Sequence, residues 1–311
     1  MYDSFVDRLS PETGAFDECT REEWDFLPWK RYQYFYGVLV PVIIHDALFR
    51  LHTIPLTRNL CKVVSAQALV TGLFDDLFDR LYLPSDRILA LMETPDQILA
   101  SYNIEEFLCQ YLFREIHKHF NGDQQLFEES VRAIMSAQEM SIQQASPDLP
   151  LNDILKITRK KGAKAVLFYR SCIDHPLTDV ENGFLTELGA LFQMTNDIND
   201  ALIDCQSNER TMMTIGLTLR EICEIFDAQI SQTIESCKLL SNDQYHKKGF
   251  FSRINILVAR SLVTLDRYGR LVDPETPFDI GNVPKNKVIS GFRIPHEVRR
   301  WFRHYTSMED Y

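Results

Sequence analysis

Hydrophobic residues recur along most of the chain at intervals of three and four positions, which is typical of amphipathic α-helices. Turns rich in Pro, Gly, Asn and Asp separate these stretches, for example Asn121-Gly122-Asp123. Convincing strand patterns are missing, so the sequence predicts about eight to ten helices. The predicted helices cover residues 29–51 with a kink at Pro41, 57–80, 84–93, 94–120, 124–145, 152–174 with Asn152 as N-cap, 180–205, 218–241 and 247–271, with a short one near 296–305.

The organisation of these helices indicates one all-α domain. The chain contains no internal repeat, low-complexity block or linker that would separate two cores. Its 12 Gly and 13 Pro residues are few enough for long helices. We therefore predict a single-domain helical bundle over residues 1–311, in which 1–27 and 272–311 are partly irregular.

Charge and cysteine content narrow the class of protein. A formal net charge of −11 argues against nucleic acid as a general partner, because binding to a phosphate backbone needs a positive field. The seven cysteines are scattered and odd in number, which favours reduced thiols in a cytoplasmic protein. The N-terminus lacks a signal-peptide pattern, and the apolar run 38–44 is too short to span a bilayer. We expect a cytoplasmic protein without stable membrane insertion.

Two acidic segments interrupt otherwise apolar helical stretches. At about 100° per residue, Asp75 and Asp79 lie about 40° apart on a helix, and Asp200 and Asp204 lie about 40° and 80° from Asn196. Carboxylates clustered in apolar surroundings repel each other unless a cation neutralises them. The two stripes could face each other across a cavity and bind magnesium, which prefers carboxylate, amide and phosphate oxygens. The candidate metal ligands are Asp75, Asp76, Asp79, Asn196, Asp197, Asp200 and Asp204.

Three motifs resemble those of trans-isoprenyl diphosphate synthases. Asp75-Asp76-Leu77-Phe78-Asp79 matches the first DDxxD motif of that family, and residues 188–200, which include Phe192-Gln193 and Asn196-Asp197, resemble the second, usually written FQxxDDxxD. Lys160-Lys161-Gly162-Ala163 is similar to a Lys-Thr-Gly-Ala segment whose lysine contacts a diphosphate. The resemblance covers about residues 57–204. It implies an all-α isoprenoid synthase fold with a central cavity between helices.

The departures from the family pattern concern the second substrate. Chain-elongating members carry a Gly-Gly-Lys-Arg segment and an Arg-Arg-Gly segment that hold isopentenyl diphosphate, and this chain has neither. Asn196, Asp200 and Asp204 also align with the Asn, Ser and Glu of the metal triad of class I terpene synthases. The resemblance therefore implies a terpene synthase or cyclase, a lyase that ionises a linear C15 or C20 prenyl diphosphate and cyclises the carbocation.

The resemblance also assigns roles to individual residues. The catalytic residues Asp75, Asp79, Asn196, Asp200 and Asp204 would hold three magnesium ions. The diphosphate would be bound by Arg159, Lys160, Arg210, Arg267 and Tyr268. The pocket would be lined by Val70, Thr71, Phe74, Phe168, Phe192 and Gln193, and the absence of an aromatic residue at positions 70 and 71 favours the longer substrates.

Several alternatives stay open from the residues alone. The chain could be a trans-prenyltransferase, chain-elongating or head-to-head, or a non-catalytic helical partner subunit of a prenyl synthase. Close packing against a neighbouring helix explains Val70, Thr71 and Gly72 equally well. Arg267-Tyr268 is a two-residue match that an ordinary surface arginine beside a tyrosine would also give. A homodimer is common in the lineage that the chain resembles.

Overall fold

The computed structural model describes residues 31–93, 103–284 and 295–307. Within these ranges the chain is helical, and the only β-type pairing is one isolated bridge between Thr218 and Pro277. The predicted all-α class is therefore confirmed. The α-helices are α1 (Asp46–Leu51), α2 (Arg58–Asp75), α3 (Ser85–Glu93), α4 (Ile104–His119), α5 (Gln124–Ser141), α6 (Leu151–Arg170), α7 (Asp179–Gln206), α8 (Leu219–Lys238), α9 (Gln244–Tyr268) and α10 (Pro295–Ser307). Three π-helical segments, π1 (Arg31–Leu39), π2 (Pro41–His45) and π3 (Asp76–Arg80), and two 3₁₀ turns, Ile142–Ala145 and Ile280–Asn282, complete the set.

Polar side chains begin several helices where the sequence predicts their start. The hydroxyl oxygens of Thr57 and Thr178 accept hydrogen bonds from backbone N–H groups three residues later, at 3.2 and 3.1 Å. Thr218 and Glu221 form a reciprocal capping box at the start of α8. These bonds satisfy N–H groups that have no partner inside the helix. Consequently α2, α7 and α8 begin within a residue of their predicted first positions.

The predicted bounds of α6 are wrong at both ends. The helix begins at Leu151, so Asn152 lies in its first turn and is not the N-cap. At the other end the buried Arg170 guanidinium donates to the carbonyl oxygens of Ile173 and His175, at 3.1 and 3.0 Å. These bonds hold the chain in a turn directly after Arg170, four residues before the predicted end.

The predicted helix over residues 29–51 differs from the structure in its hydrogen bonding. Residues 29 and 30 lie outside the described part, and from Arg31 to His45 the chain is π-helical except at Val40, before α1 begins. Pro41, the predicted kink, is the first residue of π2, where its missing N–H removes one bond to the preceding turn. Residues 1–27 and 94–102 also lie outside the described residues, and α4 begins after an Asn103 cap.

The described residues fall into two compact units. The first lies within Met1–Glu139 and Phe168–Pro176, and the second within Met140–Leu167 and Leu177–Tyr311. In the first unit α2 is buried along most of its length and packs against α4 and π1. In the second unit α7 packs against α8 and α9, and α10 packs against α9. The single-domain organisation stays a prediction.

One apolar stretch in the described residues is long enough to cross a membrane. It runs from Tyr34 to Leu51, 18 residues, and thus extends well beyond the run 38–44. Within the fold 61% of this stretch is buried. Membrane-spanning helices and the core helices of globular proteins can both have the length and composition of this stretch.

Candidate functional site

The first acidic segment lies in the first unit, where α2 changes to a π-helical turn. Asp75 is the last residue of α2, and the Leu81 N–H bonds to the carbonyl oxygen of Asp76, five residues earlier, at 2.9 Å. A π turn contains more residues than an α turn, so the angle of about 40° predicted between Asp75 and Asp79 does not apply here. The Asp79 side chain lies outside the described part. Single π turns inside helices are frequent at functional sites.

Asp75 and Asp76 have different neighbours. Asp76 accepts a hydrogen bond from the Tyr32 hydroxyl and lies 3.6 Å from the Arg80 guanidinium, which also pairs with Glu105. Half-buried Asp75 accepts a bond from the Gln138 amide at 3.2 Å. Asp76 therefore belongs to a local ion-pair network, whereas Asp75 is bonded by a neutral amide.

The pocket residues predicted in the first unit make packing contacts. Val70, Phe74 and Phe168 are fully buried. The Thr71 hydroxyl lies 2.7 Å from the Ala68 carbonyl oxygen and 2.6 Å from the hydroxyl of Tyr169, whose pKa is raised by burial. A Cβ atom added at Gly72 would overlap the ring of Tyr36, so this glycine allows a close helix contact. Their role in lining a substrate pocket stays a prediction.

In the second unit α6 and α7 cross at two glycines. A Cβ atom added at Gly162 would overlap the carbonyl group of Gly189, and one added at Gly189 would overlap the backbone of Gly162 and Ala163. The two backbones can approach this closely because neither residue has a side chain. The crossing fixes which residues of α6 face α7 one turn away. Gly162 and Gly189 therefore set the geometry of the second acidic segment.

Asp197 is the carboxylate that faces α6. Its oxygens accept hydrogen bonds from Thr158 at 3.3 Å and from Gln193 at 3.0 Å. Burial raises the pKa of Asp197 to about 7, although both bonds favour the ionised form. Burial also raises the pKa of Asp204, to about 9, and repulsion from Asp197 and other acids adds to the shift. The acidic face of α7 is thus short of positive charge.

The charge of Lys161 acts on this face. It lowers the pKa of both Asp197 and Asp204, against the effect of burial. The sequence motif pointed to the neighbouring Lys160, but Lys160 is exposed and its amine lies 3.7 Å from the sulfur of Met140. Residues one apart on a helix point in different directions. The signal in the sequence was the spacing of three residues between Thr158 and Lys161, which places both on one face.

The charge of Asp200 acts on two residues of α9. Burial lowers the pKa of Arg260 and raises that of Tyr268 to about 12, and the negative charge of Asp200 raises both values. The Tyr268 hydroxyl is buried and, among the described residues, has no hydrogen-bond partner. Asn199, the residue before Asp200 on α7, donates a hydrogen bond from its amide to the Ser261 hydroxyl at 2.8 Å. Arg260 and Tyr268 of α9 thus lie near Asp200, and the sequence motifs did not indicate Arg260.

The three arginines predicted to bind diphosphate have partners in the chain. Arg159 makes a two-pronged pair with Glu187, and this hydrogen bonding raises the pKa of Arg159 and lowers that of Glu187. Arg210 donates to the Leu149 carbonyl oxygen at 3.3 Å. Arg267 pairs with Glu297 in the last helix. Arg159 and Arg210 therefore stabilise contacts among α6, α7 and the loops beside them.

A small apolar cavity lies in the second unit, between α7, α8 and α9. It is lined by Leu191, Ile230, Ile234, Phe251, Ile254, Asn255 and Val258. Phe192 and Gln193, the two pocket residues predicted in this unit, are half-buried and do not line it. The predicted central cavity stays a prediction.

The oxygen donors of the second segment are of the kind that magnesium binds, but they are not gathered around one point. Half-buried Asn196 and Asp200 and buried Asp204 lie on one side of α7 and offer amide and carboxylate oxygens, the ligands that magnesium prefers. In residues 31–93, 103–284 and 295–307 no three His, Cys, Asp or Glu side chains are already gathered around one point. By donor chemistry the fit is good, and a bound anion would have to supply further ligands.

Comparisons of the chain with protein-family models, with curated proteins and with solved structures gave no match.

Proposed function

We propose that this protein is a class I terpene synthase, an all-α lyase of the isoprenoid synthase type that acts on a linear C15 or C20 prenyl diphosphate. The observation that carries the proposal is the acidic face of α7, where Asp197 and Asp204 are buried near Asp200 and the charge of Lys161 acts on both of them. Keeping several carboxylates together costs free energy that a bound divalent cation would offset. This charge pattern favours a cation-dependent ligand site over a purely structural helix face.

Magnesium would supply Lewis-acid stabilisation of the negative charge on the departing diphosphate. Asp75 and Asp79 would hold it in the first segment, and Asn196, Asp200 and Asp204 in the second. The resemblance implies three ions.

The residues of the chain have separate tasks in this proposal. Lys161, which faces Asp197 and Asp204, takes the role first given to Lys160 and stabilises the charge that develops on the leaving group. Arg267 and the Tyr268 hydroxyl, which lacks a partner in the described part, would bind diphosphate oxygens from α9. An apolar pocket would exclude water until the carbocation loses a proton.

The direct test is incubation of the purified protein with geranyl, farnesyl or geranylgeranyl diphosphate and magnesium, followed by product analysis. A terpene synthase releases a hydrocarbon or alcohol from one of these substrates alone, and EDTA abolishes the product. A longer prenyl diphosphate after addition of isopentenyl diphosphate would instead identify a prenyltransferase. No product from any substrate would favour the partner-subunit alternative.

A matched pair of variants tests the role of the α7 carboxylates. Asp200→Asn should abolish turnover, because the amide keeps the shape of the side chain and removes its charge. The control is Asp153→Asn on α6, whose half-exposed carboxylate pairs with Lys156 at 2.8 Å. Equal activity of Asp200→Asn and the wild type would contradict the metal role of the second segment.

A further inference from the structure

The last helix of the described chain supplies a carboxylate to Arg267. The guanidinium of Arg267 on α9 pairs with Glu297 on α10, and the two side chains are only 8% and 7% exposed. A buried ion pair loses much of its attraction to the cost of removing both charges from water. The Arg267–Glu297 pair is therefore poor evidence that Glu297 serves to stabilise the fold.

Other contacts already hold α10 on α9. His304 lies 2.7 Å from the Asp266 carboxylate, the Trp301 indole donates to the Ile256 carbonyl oxygen at 3.1 Å, and the Tyr305 hydroxyl donates to a backbone carbonyl at 3.0 Å. These bonds do not involve Arg267 or Glu297. Docking of the helix has support besides the buried pair, so the carboxylate is available for a different task.

Arg267 and Tyr268, which are adjacent on α9, differ in their bonding partners. Arg267 has an anionic partner from the chain, while the hydroxyl of Tyr268 is buried and has no partner in the described residues. Carboxylate oxygens and diphosphate oxygens bind a guanidinium in the same way, through short charge-assisted hydrogen bonds. An anionic ligand that approached Tyr268 would therefore meet an arginine whose charge is already engaged.

We propose that Glu297 is an internal competitor of the diphosphate for Arg267, so that α10 acts as an autoinhibitory cap on the candidate site. The proposal rests on the proposed function, in which Arg267 binds diphosphate. A ligand that takes over Arg267 displaces Glu297 and weakens the docking of α10. By thermodynamic reciprocity, the factor by which the docked carboxylate weakens ligand binding equals the factor by which the ligand weakens docking.

The test measures binding of inorganic pyrophosphate in the presence of magnesium by calorimetry. Glu297→Gln keeps the size of the side chain and removes its charge, so we expect tighter binding by about tenfold, within the usual range of coupling between sites. The matched control is Glu275→Gln, which makes the same change at the exposed ion pair between Glu275 and Arg220 and should leave the affinity unchanged. In an Arg267→Gln background, Glu297→Gln should have no effect.

The outcomes separate this inference from the proposed function. If the wild type binds pyrophosphate and Glu297→Gln binds it equally well or more weakly, the proposed competition is overturned. Absence of pyrophosphate binding in the wild type and in Glu297→Gln counts against the proposed function itself. If Glu297→Gln does not fold, hydrogen exchange of the wild type decides: pyrophosphate with magnesium should speed exchange in α10, and unchanged or slower exchange overturns the proposal.

Discussion

The two acidic segments differ in how their carboxylates are balanced. In the first, Asp76 is paired with Arg80 and hydrogen-bonded by Tyr32. In the second, burial raises the pKa of Asp197 and of Asp204, and the charge of Lys161 lowers both values. Sequence motifs of similar composition thus give one segment in which Asp76 has a cation beside it and another whose buried acids would gain from added positive charge.

The backbones of the two segments differ as well. The first lies on a π turn, where the chain leaves regular α-helix directly after Asp75. The second lies on the uninterrupted helix α7, whose position is fixed by the contact between Gly162 and Gly189. We therefore expect the second segment to depend on helix packing and the first on local hydrogen bonds.

The largest effect should come from filling the glycine contact in the second unit. Gly189→Ala places a methyl group in the backbone of α6, so α6 and α7 must separate, and we expect a loss of about 3 kcal/mol in the free energy of unfolding. Denaturation in urea measures it. The control on the same helix is Gly183→Ala, where a Cβ atom meets nothing within 4 Å and the better helix propensity of alanine should add up to about 1 kcal/mol. Equal stability of the two variants would show that the crossing is not tight.

The second prediction concerns a buried base in the first unit, in contrast to the buried acids of the second. Burial lowers the pKa of His45 from 6.5 to about 3. Because the unfolded chain binds the proton more readily, the contribution of His45 to stability is complete above pH 6.5 and is lost as the pH falls towards 3. At about 1.4 kcal/mol per pH unit, the loss at pH 5 is about 2 kcal/mol. Unfolding curves of the wild type and His45→Gln between pH 5 and 7.5 measure it, and parallel pH profiles would contradict the prediction.

A third, smaller effect tests the local balance of the first segment. Tyr32→Phe removes the hydroxyl that bonds to Asp76, and we expect a loss of about 1.5 kcal/mol, as for other hydrogen bonds to charged groups. Tyr34→Phe serves as control, because that side chain is 62% exposed and should change stability by less than about 0.5 kcal/mol. Thermal unfolding of both variants decides whether Tyr32 helps to balance Asp76.

The smallest effect separates two adjacent lysines of α6. Lys161→Gln removes a charge that favours the ionised forms of Asp197 and Asp204, so stability at pH 8 should fall by about 1 kcal/mol. Lys160→Gln changes an exposed residue and should have no measurable effect. The reverse order would return the role to Lys160, as the sequence motif first suggested.

Much of the fold follows from signals that act over three or four residues. The apolar spacing of three and four predicts the all-α class, and Thr57, Thr178 and Thr218 mark helix starts because each caps an N–H three positions later. The acidic segments are also visible in the sequence, since charged residues in apolar helices stand out. These features need no knowledge of distant contacts.

Tertiary structure alone decides which of these residues face one another. Lys161 faces Asp197 while Lys160 is exposed, because the rotation of α6 is set where Gly162 meets Gly189. Arg267 is bound by Glu297, 30 positions away, and no local pattern announces such a pair. Hydrogen bonds within one turn are encoded by neighbouring residues, whereas the partner of a buried charge depends on which helices pack together.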